Sequence, residues 1–558
     1  MQSDPLSPQE HSVDPVVTTP SSNPTPNPID SMQLARPEPA VLTPTPQPQP
    51  PRKKKMLAII LVLIIVAGAV AAYFLIIKKD KQTPVQASVK KDIPVLTVEY
   101  DDSTVPQYPL KMGGYGADSN VILQMFEGLV QVQNTTDIKP LLATSWTNPD
   151  TSTWVFNLRQ GVKFHSGREM TSADVKGTLE YALAHQNDSL LSFFAAAKTI
   201  KGVDVTGKYQ VKITTTAPDP LLLARLSTLP IFDQSAKLGD YDSGTGPYIV
   251  KPGTAPSDNA IDLTAFKDYW GGHIYTREVD IRFVADEDTL LKNIEQNKFD
   301  IAGSFVAQEL SHYKVPYSEL KVADQGPNKL VLNTEKPNSP LQSVAVRQAV
   351  EYAINKAQLL KDNGLDGTPA DQLVPLSLPG HNPDIKGVSY DLDKAKSLLA
   401  GVKNASQQLT LATTDSAGSG DNIAKQLTAA GFNIKVVLLD DFDQFTNDTN
   451  AGKYDMYSVG YTTDFIDGLD ILQVGLSGSK NYDNPQIDSL LDQTSKTFDA
   501  QDRIKLMQQI ATIEDQEKPV IPLYTHNHIF AITKPNIVVK ADMQDFSNSI
   551  YYWKVYQK

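Results

Sequence analysis

Twenty-two consecutive residues, Met56 to Ile77, carry no charge, and they are bracketed by Arg52-Lys53-Lys54-Lys55 and by Lys78-Lys79-Asp80-Lys81. At ~1.5 Å of rise per residue a helix of this length crosses a ~30 Å hydrocarbon layer, so the run predicts a single transmembrane helix with basic flanks over 52–81. Ala67-Gly68-Ala69 has the small side chains of a signal-peptide cleavage site. The apolar stretch nevertheless continues through Tyr73 to Ile77, and 55 residues precede it. An uncleaved anchor is the expectation, and the slightly richer basic flank at 52–55 leans towards a cytoplasmic N-terminus.

The segments on either side differ in kind. Residues 1–51 hold 14 of the chain's 38 prolines and almost no clustered apolar side chains. Such a composition cannot offset the entropy of ordering, which predicts a disordered, partly polyproline-II tail. Residues 82–93 read as a polar stalk. Across all 558 residues, 51 basic side chains face 64 acidic ones, for a net charge of −13. That sign argues against binding to phosphate backbones. The absence of cysteine removes disulfides, thiol catalysis, cysteine-ligated metals and a lipid-modified N-terminal cysteine.

From Val95 onward, strand and helix signals alternate. Trp154, Phe156 and Leu158 alternate with polar neighbours and, after Gln160-Gly161, Val162 and Phe164 resume the pattern, which predicts a hairpin. Ile261/Leu263/Ala265 and Val279/Ile281/Phe283 read as strands. Thr171 with Asp174 has capping-box spacing. Val346, Ala349, Val350, Ala353 and Ile354 share one face of a 3.6-residue period, and further helices are expected from Leu392, capped by Asp391, and from about Asp502 to Glu514. Mixed strands and helices of this kind indicate an α/β or α+β fold.

Motifs of catalysis are missing: there is no phosphate loop, no H-E-x-x-H, no G-x-S-x-G and no dinucleotide fingerprint. An enzyme is not supported, and no cofactor is implied. His526-Asn527-His528 is the one spacing with metal character, since i and i+2 on a strand share a face. With no third ligand in view, ordinary surface or core histidines are the favoured reading. Asp464 and Asp467, near Tyr461 and Phe465, have the look of a loop that could hold a cation, or of a solvated turn.

The order of local patterns resembles the family 5 extracellular solute-binding proteins, the peptide and nickel receptors of ABC importers. The matching pieces are Phe126-Glu127-Gly128-Leu129-Val130, Pro140 to Trp146, Phe156 to Gly167, Met170 to Val175, Gly244-Thr245-Gly246-Pro247-Tyr248, Tyr269-Trp270-Gly271-Gly272, Phe299-Asp300-Ile301, Val346 to Val350, Asp391 to Leu399 and Pro519 to Tyr524. They occur in register over about 93–558. The resemblance implies an α/β, two-lobed clamshell of the large peptide-binding (type II) class. Lobe 1 would comprise 94–328 completed by 520–558, and lobe 2 would comprise 329–519. It also implies ligand capture between the lobes by hinge closure and an ABC permease as partner; a monomer is expected, and the acidic net charge speaks against nucleic acid. Gly244 and Gly246 would permit a tight turn, and Trp146, Trp154 and Trp270 would belong to the core.

The resemblance bears on ligand through Gly460-Tyr461-Thr462-Thr463-Asp464-Phe465, similar to a Gly-Trp-x-x-Asp-Tyr pattern whose aspartate meets a peptide's α-ammonium. Asp464, with Tyr461, Thr463 and Phe465 beside it, is the implied ligand-binding group. Ser458 stands where some relatives have an arginine, which leaves peptide length open. The transmembrane helix replaces the lipid anchor common among relatives, and the expected location is the cell membrane, single-pass, with the large domain extracytoplasmic. Two alternatives remain: a metal-chelate (nickel-type) receptor, and a sensor that signals through the cytoplasmic tail.

Overall fold

The computed structural model describes residues 90–558 apart from 101–116, 134–136, 186–196, 237–242, 258, 285, 306–309, 311–315, 415–418, 462–466, 479 and 541–548. The expected tail and Met56–Ile77 lie outside the described residues. Among the described residues, no helix is long and apolar enough to cross a membrane.

One strand, Val520–Ile532, organises the main sheet. Its first part pairs antiparallel with Asn328–Leu332 and Gly367–Pro369, and its latter part with Ile301–Phe305 and Ser318–Ala323. Beyond Asn328–Leu332 the sheet continues through Met456–Val459 to the parallel strands Gln408–Thr413 and Asn433–Leu438. Beyond Ile301–Phe305 it continues through Ile93–Tyr100 and Thr276–Phe283, both parallel pairings, to Ala260–Ala265 and Tyr248–Val250. A separate antiparallel sheet runs in the order Ala143–Asp150, Thr153–Leu158, Gln210–Thr215, Ile200–Gly207. Parallel strands whose faces are covered by helices make this an α/β architecture.

Two large apolar cores flank the long strand. The first contains Leu96, Val98, Phe156, Phe164, Ile281 and Tyr552; the second contains Leu330, Leu332, Val350, Leu411, Ile423 and Leu523. A third cluster joins residues of both halves, packing Val132 and Leu221 with Val331, Leu373, Leu469 and Leu472. Trp154 and Phe498 add a ring contact with centroids 6.1 Å apart.

Helices follow their local signals. Ser172–Ala184 starts at Thr171, whose backbone N–H donates to Asp174 Oδ2 at 2.9 Å. In Val344–Ala353 the periodic residues Val346, Ala349, Val350 and Ala353 are all fully buried. Leu392–Leu399 is capped by Asp391, which accepts from the Lys394 N–H at 2.8 Å. The last helix, Ala500–Glu517, is longer than expected at both ends: Asp499 caps its N-terminus, and Lys518, left-handed with φ 52°, ends it by donating its N–H to the Glu514 carbonyl. The carbonyl of Glu517 at its C-terminus accepts from Arg347 Nε at 2.6 Å, so the arginine of the Val346-Arg347-Gln348 motif serves the fold.

The expected hairpin is not formed. Thr153–Leu158 pairs instead with Ala143–Asp150 and Gln210–Thr215. Gly161 adopts φ 74° and turns the chain out of the sheet, so that Val162 and Phe164 bury their side chains in the core while the backbone makes a single bridge, Lys163 to Glu169. The period of two reports side-chain burial here, not a paired neighbour. Gly244 and Gly246 also differ from expectation. Neither has a positive φ; a Cβ on Gly244 would lie 2.0 Å from the Met125 carbonyl oxygen, and one on Gly246 would lie 2.5 Å from the Met125 carbonyl carbon. They are required by close approach of two backbones.

Candidate functional site

Tyr461 follows the strand Met456–Val459, whose register places Val459 opposite Lys329 and Ser458 opposite Leu330. It is therefore attached to the neighbour of Asn328–Leu332, a strand whose Leu330 and Leu332 lie in the second core. Its hydroxyl donates to Asp470 Oδ2 at 3.2 Å, and the Lys329 ammonium lies over its ring, 5.0 Å from the centroid. Thr463, Asp464 and Phe465 lie outside the described residues. Gly460 sits against Asn328: a Cβ there would be 3.0 Å from Asn328 Oδ1.

Lys329 is a buried cation that sequence reading overlooked. It is 2% exposed, and among the described residues its Nζ has no hydrogen-bond partner. Burial pulls its pKa down to about 8, and the nearby Asp470 carboxylate opposes that shift. A signal existed: Lys329 and Val331 share one face of a strand, and Val331 lies in the apolar cluster. A lone lysine on an apolar face marks a charge held for a reason other than solubility.

Asp467 is no candidate for holding a cation. It is buried and ion-paired with Arg503, and its Oδ1 accepts the Leu469 N–H at 3.1 Å. Because Arg503 already supplies the counter-charge, a cation has no role there.

His526 and His528 do share a face, and the structure adds a third group. On the paired edge Val322 faces His528 and Ala323 faces Asn527, so Asp324 comes opposite His526; its N–H donates to the His526 carbonyl at 3.0 Å. Asp324 Oδ2 lies 2.9 Å from His526 Nδ1, and Oδ1 lies 2.9 Å from His528 Nε2. Partial burial would raise the half-buried Asp324 carboxyl, but hydrogen bonds to the two imidazoles outweigh it and hold it down at about 2, while the carboxylate raises the pKa of His528. Asn527 points the other way, donating to Asp366 Oδ2 at 3.1 Å. Asn328 Nδ2 is 3.4 Å from His526 Nδ1, which links this group to Gly460. No local pattern could have revealed Asp324, 204 positions from His528.

Known proteins resemble the chain along most of its length. The model of the bacterial extracellular solute-binding proteins, family 5 (middle), matches residues 137–483. The nickel-binding protein NikA of Staphylococcus aureus is 24% identical over 431 residues, 74% of this chain and 86% of that protein. Heme-binding protein A of Haemophilus influenzae is 26% identical over 510 residues, covering 82% and 91%. Among solved structures, the periplasmic binding protein DppA of Helicobacter pylori, in complex with the peptide STSA, superposes with a TM-score of 0.65 at 22% identity, covering 84% of this chain and 98% of that one. That likeness establishes the two-lobed periplasmic-binding-protein fold. These relatives are solute-binding proteins, not enzymes. With more than half its length matched by the family model, the chain belongs to the family 5 bacterial extracellular solute-binding proteins.

Proposed function

We propose that the chain is the membrane-anchored, extracytoplasmic substrate-binding component of an ABC importer and that it captures peptides between two lobes. Lobe 1 is 94–328 with 520–558, and lobe 2 is 329–519. The observation that carries this reading is the setting of Tyr461. Its ring follows the strand beside Asn328–Leu332 and stacks on Lys329, so a ligand at Tyr461 would lie beside the segment where we place one crossing between the lobes. Ligand binding then favours the closed arrangement by as much as it binds that arrangement better than the open one. The DppA relative holds a peptide, which supports the ligand class.

In this reading Asp464 meets the peptide's α-ammonium. On closure that ammonium loses water, and a carboxylate with good geometry is the group that replaces the lost hydration. Calorimetry of Asp464→Asn with free and N-acetylated peptide tests this. Truncating one member of a desolvated charge pair costs about 2 to 5 kcal/mol, roughly 30-fold to several-thousand-fold in affinity. The unmodified chain should reject the acetylated peptide, and the variant should lose much of that discrimination. Equal affinity of the unmodified chain for both peptides would overturn the role of Asp464. The nickel-binding relative supports a second reading, a metal-chelate ligand, which that outcome would favour.

A further inference from the structure

We propose that Asp324, His526 and His528 form a binding site for a divalent transition ion of the Zn2+ or Ni2+ type, at the point where the chain passes between its two cores. One ligand atom from each residue lies within 4.8 Å of the others. Two imidazoles and one carboxylate are a donor set suited to these ions, with a fourth position left for water or an incoming group. This site is independent of the peptide reading and does not involve Asp464.

The local structure builds the site in three steps. Strand periodicity puts His526 and His528 on one face and sends Asn527 to Asp366 on the other. Antiparallel register then brings Asp324 opposite His526. Finally, the Asp324 carboxylate presents one oxygen to each ring, at 2.9 Å in both cases, with ring centroids 4.9 Å apart. A tetrahedral ion with bonds of ~2.1 Å holds its ligand atoms roughly 3.4 Å apart. Within their 4.8 Å spread the three donor atoms adjust by up to roughly 1.4 Å to reach that spacing, a shift that side-chain rotation can supply. His526 and His528 are half-buried, which leaves an entry path.

The position gives the ion a consequence. Asp324 is followed by Gln325-Gly326-Pro327 and then by Asn328–Leu332, which pairs on the second-core side. His526 and His528 lie on the long strand where it too moves from one set of partners to the other. An ion at this point ties the two crossings to each other. It also abuts Asn328, which packs against Gly460.

The test uses untagged full-length chain, stripped with chelator and titrated with Zn2+ and, separately, Ni2+ in the absence of peptide. The expected result is one tight ion per chain and a melting temperature raised by the ion. His526→Gln and His528→Gln should each weaken binding by roughly 10- to 100-fold or more and abolish the ion-dependent rise in melting temperature. Both variants melted without metal check that the fold is kept, and Asp324→Asn provides a third, non-histidine reading. No binding at millimolar ion, or binding unchanged in both histidine variants, overturns the proposal. Because no peptide is present, that result would leave peptide capture through Asp464 standing.

Discussion

The indole nitrogen of Trp270 donates at 2.8 Å to Glu127 Oε2, joining two residues 143 positions apart. Thr245 Oγ1 donates to the same oxygen at 2.9 Å, and the Tyr269 hydroxyl donates to Oε1 at 3.1 Å. Three family motifs, around Glu127, Gly244–Tyr248 and Tyr269–Gly272, thus converge on one buried carboxylate. Arg159 lies over the Trp270 ring at 4.0 Å. The motifs are legible as chemistry of folding: a buried acid is tolerated because three donors surround it.

Burial pushes Glu127 up to about 7 from its usual 4.5, against the pull of its three donors. A group whose pKa is raised on folding contributes stability that is complete below about 4.5 and is lost as pH rises through about 7. Glu127→Gln removes that slope, worth up to about 3 kcal/mol, and mispairs one donor at a cost of about 1 to 3 kcal/mol. Urea titrations from pH 4 to 8 should show the gap between the two proteins shrinking as pH rises. A constant gap would show that Glu127 does not titrate in this range.

Lys329 has the opposite sign. Its pKa falls from 10.5 to about 8 on burial, so its penalty is full below 8 and is relieved as pH rises towards 10.5. Lys329→Met should be no less stable than the unmodified chain at pH 7, because a buried ammonium with no hydrogen-bond partner among the described residues is replaced by a side chain suited to an apolar face. The variant's advantage should shrink between pH 8 and 10.5, measured by denaturant unfolding. A variant destabilised at pH 7 would mean that the charge itself supports the fold.

Arg503 and Asp467 form a buried ion pair, with Arg503 also feeling Asp219. Arg503→Met strands the Asp467 carboxylate and should cost about 3 to 5 kcal/mol. Asp467→Leu combined with Arg503→Met should restore much of that loss, because both charges are then gone. Additive losses in the double variant would show that the pair is not coupled.

Protease added to intact cells should release the large domain and spare residues 1–51, if Met56–Ile77 spans the membrane with the N-terminus inside. Immunoblotting against each end reads the result. A mature N-terminus near Val70, or a large domain resistant to protease outside the cell, would refute that topology.

What the sequence determined by itself is what acts over a few residues. The face of Val346, Ala349, Val350 and Ala353, the cap at Asp391 and the alternation of Val279, Ile281 and Phe283 each follow from backbone geometry within one or two turns, and all appear as read. The i, i+2 relation of His526 and His528 was visible for the same reason. Tertiary structure decided the partners. It denied Thr153–Leu158 its expected hairpin mate because Gly161 leaves the sheet, one edge is taken by the preceding strand Ala143–Asp150 and the other by the distant Gln210–Thr215. It brought Asp324 to the two histidines, Lys329 under Tyr461, and Trp270 to Glu127, because antiparallel register and burial of polar groups select a neighbour by its donor or charge and not by its distance along the chain.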